Sequence, residues 1–380
     1  MKVETYLYKN GKIEKSNTGQ LVNPNGCQLV LGFGGKQELS SNNYYELLRG
    51  VFPEANIALC SSSGEIYGTE VTDEMLSVTA IEFEKTTIET TSINISSFKS
   101  SYEAGVALIN QLPQEDLRYV LVLSDGSIVN GSELVRGVES IVQHKVPVTG
   151  GLAGDGTAFL STLVGLNSNP KNGTIIGVGF YGGHIKIGHG SMGGWEMFGL
   201  EKKVTKSKAN ELFEIDNMNA LDIYKQYLGN YVNELPGSAL LFPLSIKLND
   251  NDEPIVRTIL SINNESKSMV FAGDVPEGSK VRFMKANFDK LIDAASDATV
   301  RTLSQLNQTK PKLALLISCV GRKIILNKRI DEEVEAVANV FGDEVVTTGF
   351  YSYGEISPMN PQSKCELHNQ TMTITSFDEV

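Results

Sequence analysis

Short apolar runs that end in clusters of glycine and small polar residues recur along this chain, each followed by a helical spacing and a second apolar run. Leu29-Val30-Leu31 leads into Gly32-Phe33-Gly34-Gly35, a helix-like stretch from Tyr44 to Leu48, a strand-like Ala55 to Leu59, and Cys60-Ser61-Ser62-Ser63-Gly64-Glu65. Tyr119 to Leu123 begins a second copy. It runs through Ser124-Asp125-Gly126, a helix with Leu134, Val138 and Ile141 on one face, Val146-Pro147-Val148, and Gly150-Gly151-Leu152-Ala153-Gly154-Asp155. A third copy passes from Leu313 to Ile317 through Ser318-Cys319-Val320-Gly321-Arg322, a helix carrying Val334, Val337 and Phe341, and Val345-Val346, to Gly349-Phe350-Tyr351-Ser352-Tyr353-Gly354-Glu355. Strand, helix, strand in this order predicts βαβ units with parallel pairing, because a parallel pair needs a crossover of about that length. Ligands of such sheets gather beyond the carboxyl ends of the strands, where these small-residue loops fall.

Between the copies the pattern changes to strands joined by turns, at 175–180, 184–187, 238–248, 255–262, 268–272 and 280–284. A helix predicted from Ala286 to Leu306 covers a sheet face through Leu291, Ile292, Ala295, Ala298, Leu303 and Leu306. Asn10-Gly11 between Thr5–Tyr8 and Lys12–Lys15 predicts an amino-terminal hairpin with a type I′ turn. The expected fold is therefore α/β: two related halves with mixed sheets built on βαβ units plus antiparallel strands, helices covering the sheets. The helix from Ala220 to Leu228 stops at Gly229, and Pro236-Gly237 follows, so the boundary between halves is placed there: 1–26 hairpin extension, 27–229 first module, 230–380 second module.

Composition narrows the function. With 45 acidic against 33 basic residues the formal charge is -12, which opposes attraction to nucleic acid phosphates and to anionic membranes. No apolar stretch approaches the roughly 20 residues of a spanning helix, and the amino terminus lacks a secretory apolar region, so the expected location is cytoplasmic. Cysteines 27, 60, 319 and 365 show no framework spacing and read as reduced thiols.

Several motifs resemble the FIST sensory family. Those of its carboxy-terminal module and junction are 348–356 (Thr348-Gly349-Phe350-Tyr351-Ser352-Tyr353-Gly354-Glu355-Ile356), Leu367-His368-Asn369-Gln370-Thr371, Phe271-Ala272-Gly273-Asp274-Val275-Pro276 and Ala220-Leu221-Asp222-Ile223-Tyr224. Cys60 to Ile66, Gly150 to Asp155 and Gly193-Gly194-Trp195 resemble its amino-terminal module, and the resemblance spans roughly 27 to 375. It implies a sensor of a small molecule, with amino acids or their derivatives as ligands, that signals through a partner protein such as a histidine kinase, since no room is left for an output domain. Some stand-alone members of the family resemble haem-containing nitric oxide sensors that regulate partner histidine kinases, so a haem-binding nitric oxide sensor of that kind is the alternative the resemblance implies.

The candidate ligand-binding residues follow the loops: Ser62, Ser63, Glu65, Gly151, Asp155, Trp195, Arg322, Tyr351, Tyr353, Glu355, His368, Asn369 and Gln370. The three acids could meet an amine, or each could close a turn. Arg322 could take a carboxylate bidentately, or pair with an internal acid. Tyr351 and Tyr353 alternate, so on one extended strand both rings would face one side. His368 to Thr371 place four hydrogen-bonding side chains in a row, costly to bury unless each is satisfied. If haem binds, His189, near Met192 and Trp195, is the first choice of axial ligand among His144, His184, His189 and His368. Gly177-Val178-Gly179-Phe180-Tyr181-Gly182 fits a dinucleotide fingerprint but is expected to continue into a strand. No hydrolase or kinase motif is present, so a binding protein is expected rather than an enzyme. The alternative, an enzyme acting on a small polar metabolite, has only the acids and the thiols of Cys60 and Cys319 behind it.

Overall fold

The computed structural model describes the chain except residues 18–20, 236, 250–253, 307–308 and 361–362. It is α/β, with three six-stranded mixed sheets, helices over them, and one further antiparallel sheet inserted into the third. Each six-stranded sheet contains one of the crossover pairs read from the sequence. Leu29–Gly35 runs parallel to Asn56–Ser62, Leu117–Ser124 to Val148–Leu152, and Leu313–Cys319 to Val346–Ser352.

The same four-strand order recurs in all three. Beside the first strand of each pair lies an antiparallel strand (Leu76–Glu82, Thr174–Tyr181, Met372–Glu379), and beyond that a second (Lys2–Lys9, Thr87–Asn94, Ile185–Met192). After each crossover the chain leaves its own sheet and adds a strand to the next: Glu65–Tyr67 joins Val346–Ser352, Val164–Leu166 joins Asn56–Ser62, and Gly354–Pro358 joins Val148–Leu152. The three units are thereby stitched into a ring.

Burial on both faces explains why the crossover strands read as continuous apolar runs. Leu29, Leu31 and Phe33, with Tyr119, Leu121, Leu123 and Leu313, Leu315, Ile317, point into one central core shared by the three sheets. Their alternates Val30, Val120, Val122 and Leu316 face outward under helices. At the tightest point Gly150 (φ 154°) and Gly349 (φ 152°) occupy matching places, where an added Cβ would lie 1.8 Å from the carbonyl oxygens of Val122 and Leu316. Any side chain there would push the parallel strands apart.

The hairpin forms as predicted, with Asn10 and Gly11 at positive φ, although Lys2–Lys9 is also a full strand of the first sheet. Some expectations shift. The strand expected over 238–248 is a 3-10 turn, Gly237–Leu241, followed by Leu244–Lys247. Pro236, used to mark the boundary, lies outside the described residues. The fourth sheet spans Glu196–Lys208 to Lys280–Lys285, packs on the Ala220–Leu228 helix, and has its own core around Tyr224, Phe271 and Phe283. Among the described residues no helix is long and apolar enough to cross a membrane.

Candidate functional site

Two of the three acids turn out to be equivalent. Glu65 lies opposite Phe350 and Glu355 opposite Gly151, each at the point where the chain crosses into the neighbouring sheet. Each accepts from a serine three residues back: Ser62 Oγ to Glu65 at 2.5 Å, Ser352 Oγ to Glu355 at 2.7 Å. Glu65 also accepts from Met75 N and Thr72 Oγ1, and Glu355 from Thr371 N and Thr371 Oγ1. Burial pushes both carboxyls up to about 8, against the pull of these hydrogen bonds. In the second unit the matching place, opposite Cys60, is held by Val164. Asp155 stands earlier, in a longer loop, where its carboxylate accepts from the Tyr353 hydroxyl and from the backbone N–H groups of Leu160 and Ser161. Burial would raise it, yet these donors and Lys36 hold it below its usual value. The three acids are thus bound internally, as chain-crossing and loop-closing groups.

Of the two readings open for Arg322, the structure shows the internal ion pair. The guanidinium is fully buried against Glu333, with Nε donating at 2.7 Å, while Nη1 donates to the carbonyl of Gly193 and Nη2 to that of Leu291. Ser318 and Tyr351 complete the cluster by donating to the same carboxylate. Tyr351 and Tyr353 do not form one wall. The strand ends at Ser352, so Tyr351 stays in the core of the third sheet while Tyr353 turns to the second.

A cavity of about 390 Å³ opens where that turn occurs. One side consists of the carboxyl ends of the parallel strands and their loops, with Ser127, Asn130, Leu152, Cys319 and Tyr353, as the general rule for such sheets requires. The facing side comes from the inserted sheet, with Asn210, Thr258, Leu260, Phe271 and Gly273. Phe159 stacks on Tyr353 with centroids 4.7 Å apart. Ile128, Phe159 and Leu260, 55%, 45% and 47% exposed, form an apolar rim. Among the described residues no Asp, Glu, Lys, Arg or His is in the lining.

Asn369 lines this cavity, fully buried, and among the described residues neither its Oδ1 nor its Nδ2 has a hydrogen-bond partner; Thr258 Oγ1, on the side formed by the inserted sheet, also lacks one. The neighbours of Asn369 are engaged elsewhere, apart from Gln370 Oε1, which also lacks a partner among the described residues. His368 Nε2 meets the Ser357 carbonyl at 2.8 Å, and Gln370 donates to the Leu240 carbonyl and accepts from Trp195 Nε1 through its own carbonyl. Trp195 lines a wider cleft of about 710 Å³ with Glu196, Lys285 and Lys290, in which both lysines pair with Glu196. Ser63 donates to the Gly156 carbonyl, and Gly151 pairs with Glu355 on the sheet.

From the predicted set, Tyr353 and Asn369 therefore meet in the main cavity, Trp195 lies in the second cleft, and the others surround them or sit in the core. Thr258, Phe159 and Phe271 were missed by sequence reasoning. Phe271 lay inside a motif already singled out, but only the folding back of the inserted sheet gives it a role.

Models of two families match the chain: the FIST N domain over residues 28–218 and the FIST C domain over 220–358. A curated relative, an uncharacterized protein of Methanocaldococcus jannaschii, is 24% identical over 213 residues, covering 52% of this chain and 40% of the relative, so the match spans well under half of that protein. Among solved structures, a cyanuric acid hydrolase from A. caulinodans aligns over 99% of both chains at 9% identity and TM-score 0.36. A second cyanuric acid hydrolase structure aligns over 100% of this chain and 99% of the other at 8% identity and TM-score 0.38. Likeness at that level carries no argument about activity.

Proposed function

Because the chain belongs to the FIST family, whose domains are ligand-binding sensory domains of signal transduction, we propose that it senses a small molecule in the cavity beneath the inserted sheet. The observation that carries this reading is the unpartnered Asn369 side chain. A buried amide left without hydrogen bonds costs about 1–3 kcal/mol, a debt that a bound molecule removes. Occupancy would draw the inserted sheet towards the carboxyl ends of the parallel strands, since the two sides of the cavity come from these two parts. A partner protein, with a histidine kinase as the class the resemblance implies, would read that displacement.

Amino acids or their derivatives are the ligands the family resemblance suggests. A lining whose described residues include no carboxylate, lysine, arginine or histidine favours derivatives whose charges are masked, because an unpaired ion in such surroundings is costly. Haem fits these residues poorly. His189 Nδ1 is buried without a partner among the described residues and burial holds the ring down to about 4, but none of the four histidines lines either cavity. A binding role rather than catalysis is supported by Cys319, whose thiol is pushed far up by burial first and by the nearby Glu355 carboxylate second, away from the thiolate that a nucleophile needs.

Thermal melting of the full chain against amino acids, their N-acyl and amide derivatives and related amines tests the proposal. At a concentration 100 times Kd a ligand stabilises by about 2.7 kcal/mol, enough for a shift of several degrees. The shift should vanish in Leu260→Trp, a rim substitution that blocks the mouth. A folded protein that no member shifts at millimolar concentration would refute the cavity as a ligand site.

A further inference from the structure

Hydrogen-bonding capacity left unused in the buried interior is concentrated at one place. Of the five buried side-chain atoms that lack a partner among the described residues, three belong to Asn369 and Thr258, both in the cavity lining. Gln370 Oε1, a fourth, is on the adjacent residue, and only His189 Nδ1 lies away from the site. Other polar clusters hold internal partners: Arg322 has Glu333 and two carbonyls, and Lys285 and Lys290 have Glu196.

Building on the cavity as a ligand site, we propose that its ligand is an uncharged molecule presenting a hydrogen-bond donor and acceptor side by side, a carboxamide or lactam edge on an aromatic or alkyl body. A primary amide side chain carries an acceptor oxygen next to a donor nitrogen, and the group that satisfies both at once has the same pair reversed. Thr258 adds a hydroxyl from the inserted sheet, able to donate or accept, so the ligand ties the two sides of the cavity together. A carboxylate would offer only acceptors and an ammonium only donors, and either would be stripped of water with no opposite charge among the described residues of the lining to meet it. Arg257, a buried cation beside the lining residue Thr258, donates through Nε to the Asp274 carbonyl and through Nη1 to the Leu367 carbonyl. The stacked Phe159 and Tyr353 rings and Phe271 supply flat apolar faces, and Ile128 and Leu260 extend them to the mouth. That is the surface an aromatic or alkyl body fills.

The experiment is calorimetry on the full chain with four probes of one shape: benzamide, acetophenone, benzoate and benzylamine, with phenylalanine as the zwitterion. Benzamide should bind about tenfold tighter than the other four, and Asn369→Leu should bring benzamide and acetophenone to equal affinity. In the wild-type protein the side-chain amide resonance of Asn369 should shift with benzamide and stay in place with acetophenone, a reading that does not depend on the variant folding. Benzoate, benzylamine or phenylalanine binding as tightly as benzamide, with Leu260→Trp abolishing it, would overturn the ligand class while leaving the cavity as the site. A preference for benzamide that survives Asn369→Leu, or an unmoved Asn369 resonance, would overturn the pairing. Failure of all five probes to bind would overturn both.

Discussion

Arg322 and Glu333 are both fully buried, and every donor placed on that carboxylate comes from within the third sheet and its helices. Their charges stabilise one another only as a pair, since removing one partner leaves the other desolvated and uncompensated. Arg322→Met is therefore expected to cost about 3–5 kcal/mol in urea unfolding, and Arg322→Met with Glu333→Leu to recover much of it. A single variant that loses under 1 kcal/mol would show that the pair contributes little. The same guanidinium holds the carbonyls of Gly193 and Leu291, the two stems from which the inserted sheet hangs, so the loss should also loosen that sheet. Nothing in the residue type revealed this. An arginine after an apolar strand reads equally as a ligand-binding group until the helix from Ile330 to Phe341 brings Glu333 beneath it.

At the scale of elements, the crossover units were legible because each is local, an apolar run, a helical face and a second apolar run within 34 to 40 residues. The strands that complete each sheet were less so. Leu76–Glu82 and Thr87–Asn94 carry mixed patterns that acquire meaning only from the partner they meet. Repetition of a glycine-acid pair also overstated the symmetry. In the second unit the chain runs through a longer loop before it crosses to the next sheet, so Asp155 closes that loop and Val164 takes the place held elsewhere by glutamate. Tyr353 fastens this loop through Asp155, the Gly156 carbonyl and the Phe159 amide. Tyr353→Phe should free it, raise the Asp155 pKa towards that of an ordinary aspartate, and weaken ligand binding at the neighbouring cavity. A carboxyl-carbon NMR titration measures the first effect, and an Asp155 midpoint that does not rise would contradict the assignment.

For the molecule as a whole, buried titratable groups set opposing pH trends. Glu65 and Glu355, raised to about 8, hold extra protons in the folded state, so the stability they lend is complete below the unfolded pKa near 4.3 and is lost as pH rises through 8. His189 and His368, lowered by burial to about 4, hold fewer protons than the unfolded chain, so stability rises with pH between about 4 and 6.5. The two trends offset one another below 6.5, and above it the glutamates act alone. Unfolding free energy should fall by on the order of 2–4 kcal/mol from pH 6.5 to 8, and Glu355→Gln should roughly halve the slope. A flat profile over that window would mean that the carboxyls ionise near their ordinary values.

By itself the sequence determined the α/β class, the three crossover units and their carboxyl-end loops, because hydrophobic period and turn chemistry act over a few neighbouring residues. It also drew attention to Tyr353 and Asn369, through motifs whose small and polar residues are unusual beside apolar strands. Only the tertiary structure decided which polar groups satisfy one another. Arg322 finds Glu333 in a neighbouring helix and two carbonyls far along the chain, and Glu65 and Glu355 are held by groups that only the fold turns towards them, whereas Asn369 finds none among the described residues, because the inserted sheet folds back to leave a hollow there. Hydrogen-bond satisfaction is a property of what surrounds a group in space, and a pattern of residues along the chain does not carry it.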